Sequence, residues 1–456
     1  MEDTIAAIAT PIGEGGIGII RISGEESKCI LDKIFKSPSN SEVENRKLTY
    51  GHIIEPETGK ILDEVLVAYM KGPKTYTAED VVEINCHGGT IPLKRVLGLV
   101  LSQGARMAEP GEFTKRAFLN GRLDLSQAEA VIDVIKAKTD KSFDVAMETL
   151  TGGVSETINN IRNQVVDILV NLTVNIDYPD EDIEEVNYLD LKENLIQVKD
   201  NIELLIEGAK TGKILREGVN IAIIGKPNVG KSSLMNNLLR EARAIVTEIP
   251  GTTRDTIEEY INIKGIPVKI TDTAGIRETE DIIEKIGIEK SKESFNNADL
   301  VIFILDITRP LDEEDRDILN RVNKDKTLII FNKQDKENRL DKEEEKKIKE
   351  NFNYLEVSMK NLQDTICIED EIYNMVTSGN ISVENRNIIT NTRHIEALNN
   401  AYKAVNDALI ATEMGEPFEI IEIDVSSVYE NLGFITGDSV NQDIIDQVFS
   451  RFCLGK

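Results

Sequence analysis

The sequence predicts a multidomain protein of α/β plus α class: an N-terminal α+β unit, a helical bundle, and a mainly parallel α/β unit inserted into that bundle. Three observations carry this. Residues 1–118 hold β-branched runs broken by glycine clusters. Apolar stripes of helical period fill residues 119–217 and return over 380–456. Between them, over residues 218–379, strand-like runs alternate with helical ones.

In the first unit, Gly18–Ile22, Val65–Tyr69 and Val81–Asn85 read as strands, with glycine-rich turns at Gly13–Gly18 and Gly88-Gly89 and a helix over Ile91–Leu101. Asp124 is the expected cap of a helix carrying Ala128, Val131, Ile132 and Ile135 on one face. A second stripe runs from Ile158 to Ile176 and stops at Tyr178-Pro179; a third runs from Leu191 to Leu205. Strands are then expected at Asn220–Ile224, Val268–Asp272, Leu300–Leu305, Thr327–Phe331 and Tyr354–Val357, alternating with helices, which implies parallel crossovers. Lys336–Glu350 reads as a solvated helix face. Helical patterning resumes from His394 to Leu409, so both flanks of the insertion build one bundle.

Composition narrows the function classes. The chain has 456 residues, with 53 Lys+Arg against 81 Asp+Glu and a net charge of −28, which repels a nucleic-acid backbone. Contact with RNA must be local or supplied by a partner. The balance is 14 basic to 17 acidic residues over 1–118 and 10 to 20 over 119–217, so the first region is the less hostile one. No apolar run approaches the ~20 residues of a membrane span. The acidic start, Met1-Glu2-Asp3, has no signal-peptide character, so a cytoplasmic protein without a membrane role is expected. Cys29, Cys86, Cys367 and Cys453 form no CxxC pair, which argues against a zinc site or a disulfide framework.

Gly225-Lys226-Pro227-Asn228-Val229-Gly230-Lys231-Ser232 matches GxxxxGK[ST] between an expected strand and an expected helix. The backbone N–H groups of such a loop wrap phosphates, Lys231 reaches their outer oxygens, and Ser232 can ligate Mg²⁺; Ser233 follows on the helix. Asp272-Thr273-Ala274-Gly275 ends a core strand at the distance where a DxxG motif meets Mg²⁺ and the γ-phosphate. Asn332-Lys333-Gln334-Asp335 matches NKxD, whose carboxylate accepts from the two donors of the guanine edge. Ser358-Met359-Lys360 stands where GTP-binding proteins carry Ser-Ala-Lys, with Met359 departing from that pattern. These motifs predict a Ras-like P-loop GTPase domain with a mainly parallel sheet.

The residue after DxxG is Ile276, which cannot orient water. Arg277, Glu278, Glu280, Asp281 and Glu284 are nearby candidates for that role, or a solvated loop. Thr247-Glu248-Ile249-Pro250-Gly251-Thr252-Thr253 lies where the first switch belongs, and Thr253 can complete the Mg²⁺ site. Asn228 adds a side-chain oxygen beside the phosphates, suited to a monovalent cation that supplies the charge of an arginine finger.

GKPNVGKSS, PGTTRD, DTAGIRE and NKQD together resemble the TRAFAC-class GTPases. TPIGEGGIGIIRISG, EINCHGG, PGEFTKRAFLNGRLDLSQAEA, DYPDE and the closing Phe452-Cys453-Leu454-Gly455-Lys456 narrow the resemblance to the MnmE (TrmE) family of tRNA-modification GTPases, over essentially the whole chain. The resemblance implies a homodimer formed through a folate-binding N-terminal domain. It also implies a heterotetramer with an FAD- and NADH-dependent MnmG-type partner, and an aminomethyl or carboxymethylaminomethyl group added to carbon 5 of a tRNA wobble uridine. A reduced folate (5,10-methylene- or 5-formyl-tetrahydrofolate) would supply the one-carbon unit. Carried over by motif, Asn228, Thr247, Ile249 and Thr252 surround potassium, Ser232 and Thr253 bind Mg²⁺, and Glu284 orients water. Arg21, Glu83, Arg122 and Lys456 fall at the folate positions, and Cys453 beside the modification site; the alternative for Cys453, read without the resemblance, is a buried structural thiol. The tail is expected to reach the N-terminal domain across the dimer. The rival reading is a GTP-dependent ribosome-assembly switch without covalent RNA chemistry.

Overall fold

The structure, a computed structural model, describes residues 3–38, 42–177, 187–241, 260–272, 298–377 and 388–456.

Strands β1 (Ile5–Ile8), β2 (Ile17–Ser23), β3 (Phe35–Lys36), β4 (Leu48–Ile54), β5 (Ile61–Met70), β6 (Val81–His87) and β7 (Arg106–Met107) form one sheet. Its order is β3-β4-β5-β6-β2-β1-β7, antiparallel except for β1 beside β7. Helices α1 (Ser27–Ile34) and α2 (Thr90–Ser102) cover one face, where Ile20, Ile22, Val65, Val67, Val82 and Ile84 meet Ile30, Leu31, Leu93 and Val96. The period-2 alternation sends Ile17, Leu48, Tyr50 and Leu66 to the other face, and the register shift that pairs Ile61 with Ile54 adds Ile61; each is exposed there. The other face thus mixes exposed apolar side chains with charged ones such as Arg21, Glu64 and Glu83.

Helix α3 (Glu112–Leu119) leads out of this unit and α4 (Leu125–Lys136) follows. Asp124 caps α4 as expected, in a reciprocal box: its side chain accepts from Gln127 N at 2.9 Å and Gln127 Oε1 accepts from Asp124 N at 3.0 Å. Next come α5 (Asp140–Leu150), α6 (Gly153–Asp177) and α7 (Tyr188–Glu217). The stripe Ile158–Leu172 on α6 and Leu191–Leu205 on α7 are buried against residues near the other end of the chain.

The second sheet contains β8 (Val219–Ile224), β9 (Tyr260–Ile263), β10 (Ile266–Asp272), β11 (Leu300–Asp306), β12 (Thr327–Asn332) and β13 (Asn353–Val357). Its order is β13-β12-β11-β8-β10-β9, parallel except for the β9–β10 hairpin. Helices α8 (Lys231–Glu241), α9 (Glu313–Arg321), α10 (Lys342–Asn351) and α11 (Leu362–Thr377) alternate with these strands. Every residue of β11 and β12 is buried, as fits strands covered on both faces. On α10 the buried residue is Ile348, so most of its surface is solvated as the charge run predicted.

The chain then returns through α12 (Thr392–Met414), α13 (Phe418–Thr436) and α14 (Gln442–Phe449). Leu398, Ala401, Val405 and Ala408 of α12 and Ile421, Val425, Val428 and Leu432 of α13 complete the core begun by α6 and α7. Departure and return lie side by side: at Gly212 on α7, a Cβ would overlap the carbonyl of Ile389.

Candidate functional site

Strand β8 delivers the chain into the phosphate loop and α8 carries it away. Asn228 and Gly230 both hold positive φ, 62° and 116°. A side chain at Gly230 would meet the amide of Asn332, so glycine is required both by conformation and by space. Lys231 Nζ lies over the loop, donating to the carbonyls of Gly225 at 2.5 Å and Lys226 at 2.9 Å. Val229 is buried, while Asn228, Ser232 and Ser233 are exposed at the mouth of the loop, where the N-terminus of α8 concentrates N–H dipoles.

The NKxD motif and Ser358-Met359-Lys360 sit at the ends of β12 and β13, beside this loop. Asn332 is buried and bridges both: its Nδ2 donates to the Val229 carbonyl at 2.6 Å, and its Oδ1 accepts from Met359 N at 3.1 Å. Lys333 takes φ 72° and pairs with Asp306 at 2.5 Å. The carboxylate of Asp335 accepts from Lys360 Nζ at 2.7 Å and from Ser358 Oγ at 2.9 Å, which holds its pKa below the usual carboxylate value. Met359 works through its backbone: its N–H serves Asn332 and its carbonyl accepts from Asn237 at 3.0 Å. The departure from alanine therefore leaves the local geometry intact.

A second constellation lies on the N-terminal unit. Arg21 and Glu83 face each other across β2 and β6, with Nη2 2.8 Å from Oε1. The Arg21 guanidinium lies 5.4 Å from the Tyr76 ring centre and 5.8 Å from that of Phe113. Arg122 lies 4.9 Å from the same Tyr76 ring and donates to its carbonyl at 2.8 Å. The C-terminal tail ends here as well. Phe113 N donates to the Lys456 carbonyl at 3.2 Å and Gly111 N to the Cys453 carbonyl at 3.3 Å. These bonds form within one chain, so the tail reaches the N-terminal unit without crossing to a second copy. Phe449 and Phe452 are buried against Leu125, Ala128 and Ile132 of α4, and Cys453 is exposed.

A sequence model described as the TrmE N-terminus of a GTP-binding protein matches residues 4–122, and one described as the MnmE helical domain matches residues 125–453. The chain belongs to the MnmE family. It is 53% identical to a tRNA modification GTPase of Clostridioides difficile (strain 630) and 51% identical to one of Alkaliphilus oremlandii (strain OhILAs), each alignment covering 100% of both chains. A relative with the same description in Lactiplantibacillus plantarum is 50% identical over 100% of this chain and 98% of its own. As a member of the MnmE family the chain is a GTP-hydrolysing enzyme acting in tRNA modification, an activity that implies binding of GTP and Mg²⁺. Among the described residues, no helix is long and apolar enough to cross a membrane.

Several residues assigned from the MnmE-family motifs lie outside the described residues: Thr247, Glu248, Ile249, Pro250, Gly251, Thr252, Thr253, Thr273, Ala274, Gly275 and Glu284. Asp272 is described as the last residue of β10. Two buried charge clusters escaped the sequence reading. Arg116 is fully buried on α3 and donates to Asp3, Glu79 and Glu112 at 2.8–3.2 Å, fixing the helix that carries Phe113. The Glu112–Arg116 spacing was the available signal. On α4, buried Glu129 accepts from Arg393 at 2.8 and 3.0 Å and lies 2.7 Å from His394 Nε2. Burial works to raise the Glu129 carboxyl, but His394 and Arg393 outweigh it and hold it at about 2. No local pattern announces a pair separated by 265 positions.

Proposed function

We propose that the chain is a potassium-stimulated GTP hydrolase that works with an FAD- and NADH-dependent, MnmG-type partner. Together they add an aminomethyl or carboxymethylaminomethyl group to carbon 5 of the wobble uridine of certain tRNAs, using the one-carbon unit of 5,10-methylene- or 5-formyl-tetrahydrofolate. The observation that carries this is the meeting of Arg21, Glu83 and Arg122 around Tyr76, with the tail seated on the adjacent Phe113. A carboxylate suits the donor edge of a pterin, an aromatic face suits its ring, and arginines with Lys456 suit the carboxylates of a folate tail. Nothing in nucleotide chemistry calls for such a group at a distance from the GTP motifs.

In this reading residues 1–118 bind folate and dimerise, 119–217 with 380–456 form the helical domain, and 218–379 form the GTPase domain. The exposed apolar face of Leu48, Tyr50, Ile61 and Leu66 supports a homodimer through the first sheet. Ser232 and Thr253 hold Mg²⁺, while Asn228, Thr247, Ile249 and Thr252 hold potassium. The left-handed turn at Asn228, exposed at the mouth of the loop, fits the ion. Bound there, potassium supplies positive charge to the transferring phosphoryl group. Glu284 orients the attacking water, and Cys453 serves the modification site. The two-protein assembly with tRNA acts in the cytoplasm.

Mass spectrometry of tRNA nucleosides from cells lacking this chain tests the reading, together with folate analysis of the purified protein. Loss of the modified wobble uridine and bound reduced folate are expected. Normal wobble uridines, with immature ribosomes accumulating, would instead establish an assembly switch.

A further inference from the structure

Strands β9 and β10 meet in a two-residue turn. Ile263 pairs with Ile266, and Lys264 and Gly265 between them take φ of 51° and 92°, the geometry that matches the twist of the flanking strands. This hairpin is not left to solvent. Thr139, in the turn between α4 and α5, donates to the Gly265 carbonyl at 2.8 Å. The stem of Lys141 lies against Gly265 so closely that a Cβ there would overlap it. Lys138 Nζ stands 2.9 Å from the centre of the Tyr260 ring. Lys264 pairs with Asp370 of α11 at 2.5 Å.

The position of this grip gives it meaning. Along the chain, the PGTTRD segment leads into β9, and β10 ends on Asp272, the first residue of DTAG. The hairpin is thus continuous at both ends with nucleotide motifs. On the opposite side the grip belongs to the turn that follows α4, through Lys138 and Thr139, and to the first turn of α5, through Lys141. The N-terminal end of α4 begins at Leu125, after Arg122, Leu123 and the cap Asp124, and its flank holds Phe449 and Phe452 of the tail. Twelve helical residues span about 18 Å at 1.5 Å each. Helix α4 therefore runs from the segment that carries Arg122, with the tail packed on its flank, to the turn whose residues grip the hairpin. Surface ion pairs alone contribute little, but a backbone bond and a glycine shaped around Lys141 define a specific fit.

We infer that α4 is the strut that couples nucleotide state to the N-terminal site, with Lys138, Thr139 and Lys141 reading the β9–β10 hairpin. The coupling rests on the GTPase assignment and adds to it a route between the two chemistries. Such coupling is reciprocal and of the order of fivefold or more.

Hydrogen exchange on the full-length protein, loaded with GDP or with a non-hydrolysable GTP analogue, tests this. Exchange at residues 137–143 and 120–124 should differ between the two states by about fivefold. In a Lys138→Gln/Lys141→Gln variant, the analogue should bind and GTP turn over as in the parent, while the difference at 120–124 disappears and wobble-uridine modification falls. Gly265→Ala should act in the same way, and the glutamine pair guards against a misfolded hairpin. No nucleotide-dependent difference at 120–124 in the parent, or an undiminished one in the variant, overturns the strut. Failure of the parent to bind the analogue at all would instead refute the GTPase assignment.

Discussion

The amide nitrogen of Asn332 donates to the carbonyl of Val229 at 2.6 Å, tying the strand that carries NKxD to the GxxxxGK[ST] loop. The same side chain accepts from Met359 N, so one buried amide registers three motif-bearing segments. Asn332→Ala should strand the Val229 carbonyl and the Met359 N–H. A loss of about 1–3 kcal/mol in GTPase-domain stability follows, readable by urea titration, with weaker GTP binding by calorimetry. Wild-type values in both would show that the bridge carries no energy.

Asp335→Asn should weaken GTP binding and turn preference toward xanthosine triphosphate, whose edge offers a carbonyl where guanine has an amino group. Lys360 and Ser358 already keep this carboxylate ionised and oriented. Calorimetric titration with both nucleotides checks it; unchanged GTP affinity excludes a base-reading role.

Replacing sodium by potassium at constant ionic strength should raise GTP turnover strongly, and Asn228→Ala should remove the stimulation. Glu284→Ala should leave GTP affinity nearly intact and slow hydrolysis by roughly 10²–10⁴-fold. Parental single-turnover rates would return Glu284 to the solvated loop.

Deleting Cys453–Lys456 should abolish wobble-uridine modification and weaken folate binding while potassium-stimulated GTP hydrolysis survives. The tail contacts Gly111 and Phe113, whereas the nucleotide motifs lie in the second sheet. Normal modification in cells carrying the truncation would make the tail merely structural.

The Glu129 carboxyl, held at about 2 against an ordinary 4.5, gives a signed pH dependence. A depressed folded-state value stabilises the fold above pH 4.5, and that contribution is lost as pH falls toward 2. Glu129→Gln leaves Arg393 and His394 facing a neutral group, at a cost of about 3–5 kcal/mol near neutrality. The gap between parent and variant should narrow as the medium is acidified below pH 4.5. A constant gap in denaturant titrations across that range would locate the cost in packing instead.

The GTP motifs were legible because their chemistry is contiguous: the spacing of Gly225, Gly230, Lys231 and Ser232 is itself the geometry of the loop. Core strands β11 and β12 were legible because burial on both faces demands unbroken apolar runs, and β8 departs from that only at exposed Asn220; β13, an edge strand with Val357 its buried residue, was legible from its place in the strand–helix alternation. Strand β9 was missed: only Ile261 and Ile263 point inward over four residues, and the signal lay instead in the Lys264-Gly265 turn. The separate helix α5 was missed because its capping box uses Ser142 where glutamate or glutamine is usual. Arg116 with Asp3, and Glu129 with His394, are encounters made by the tertiary fold, and sequence distance hides them.

The insertion also dictates an order of assembly. During synthesis α6 and α7 emerge long before α12 and α13 exist, so their shared core must wait with Ile158, Val165, Leu195 and Val198 unburied. Pairing α7 with α12 across an unfolded insertion would carry the closure entropy of a very long loop. Once the second sheet forms, its two ends bring Gly212 and Ile389 together, and that cost is already met. The nucleotide-binding domain therefore serves as the template on which the helical domain closes, and a ligand that hastens its folding shortens the time the bundle spends half built.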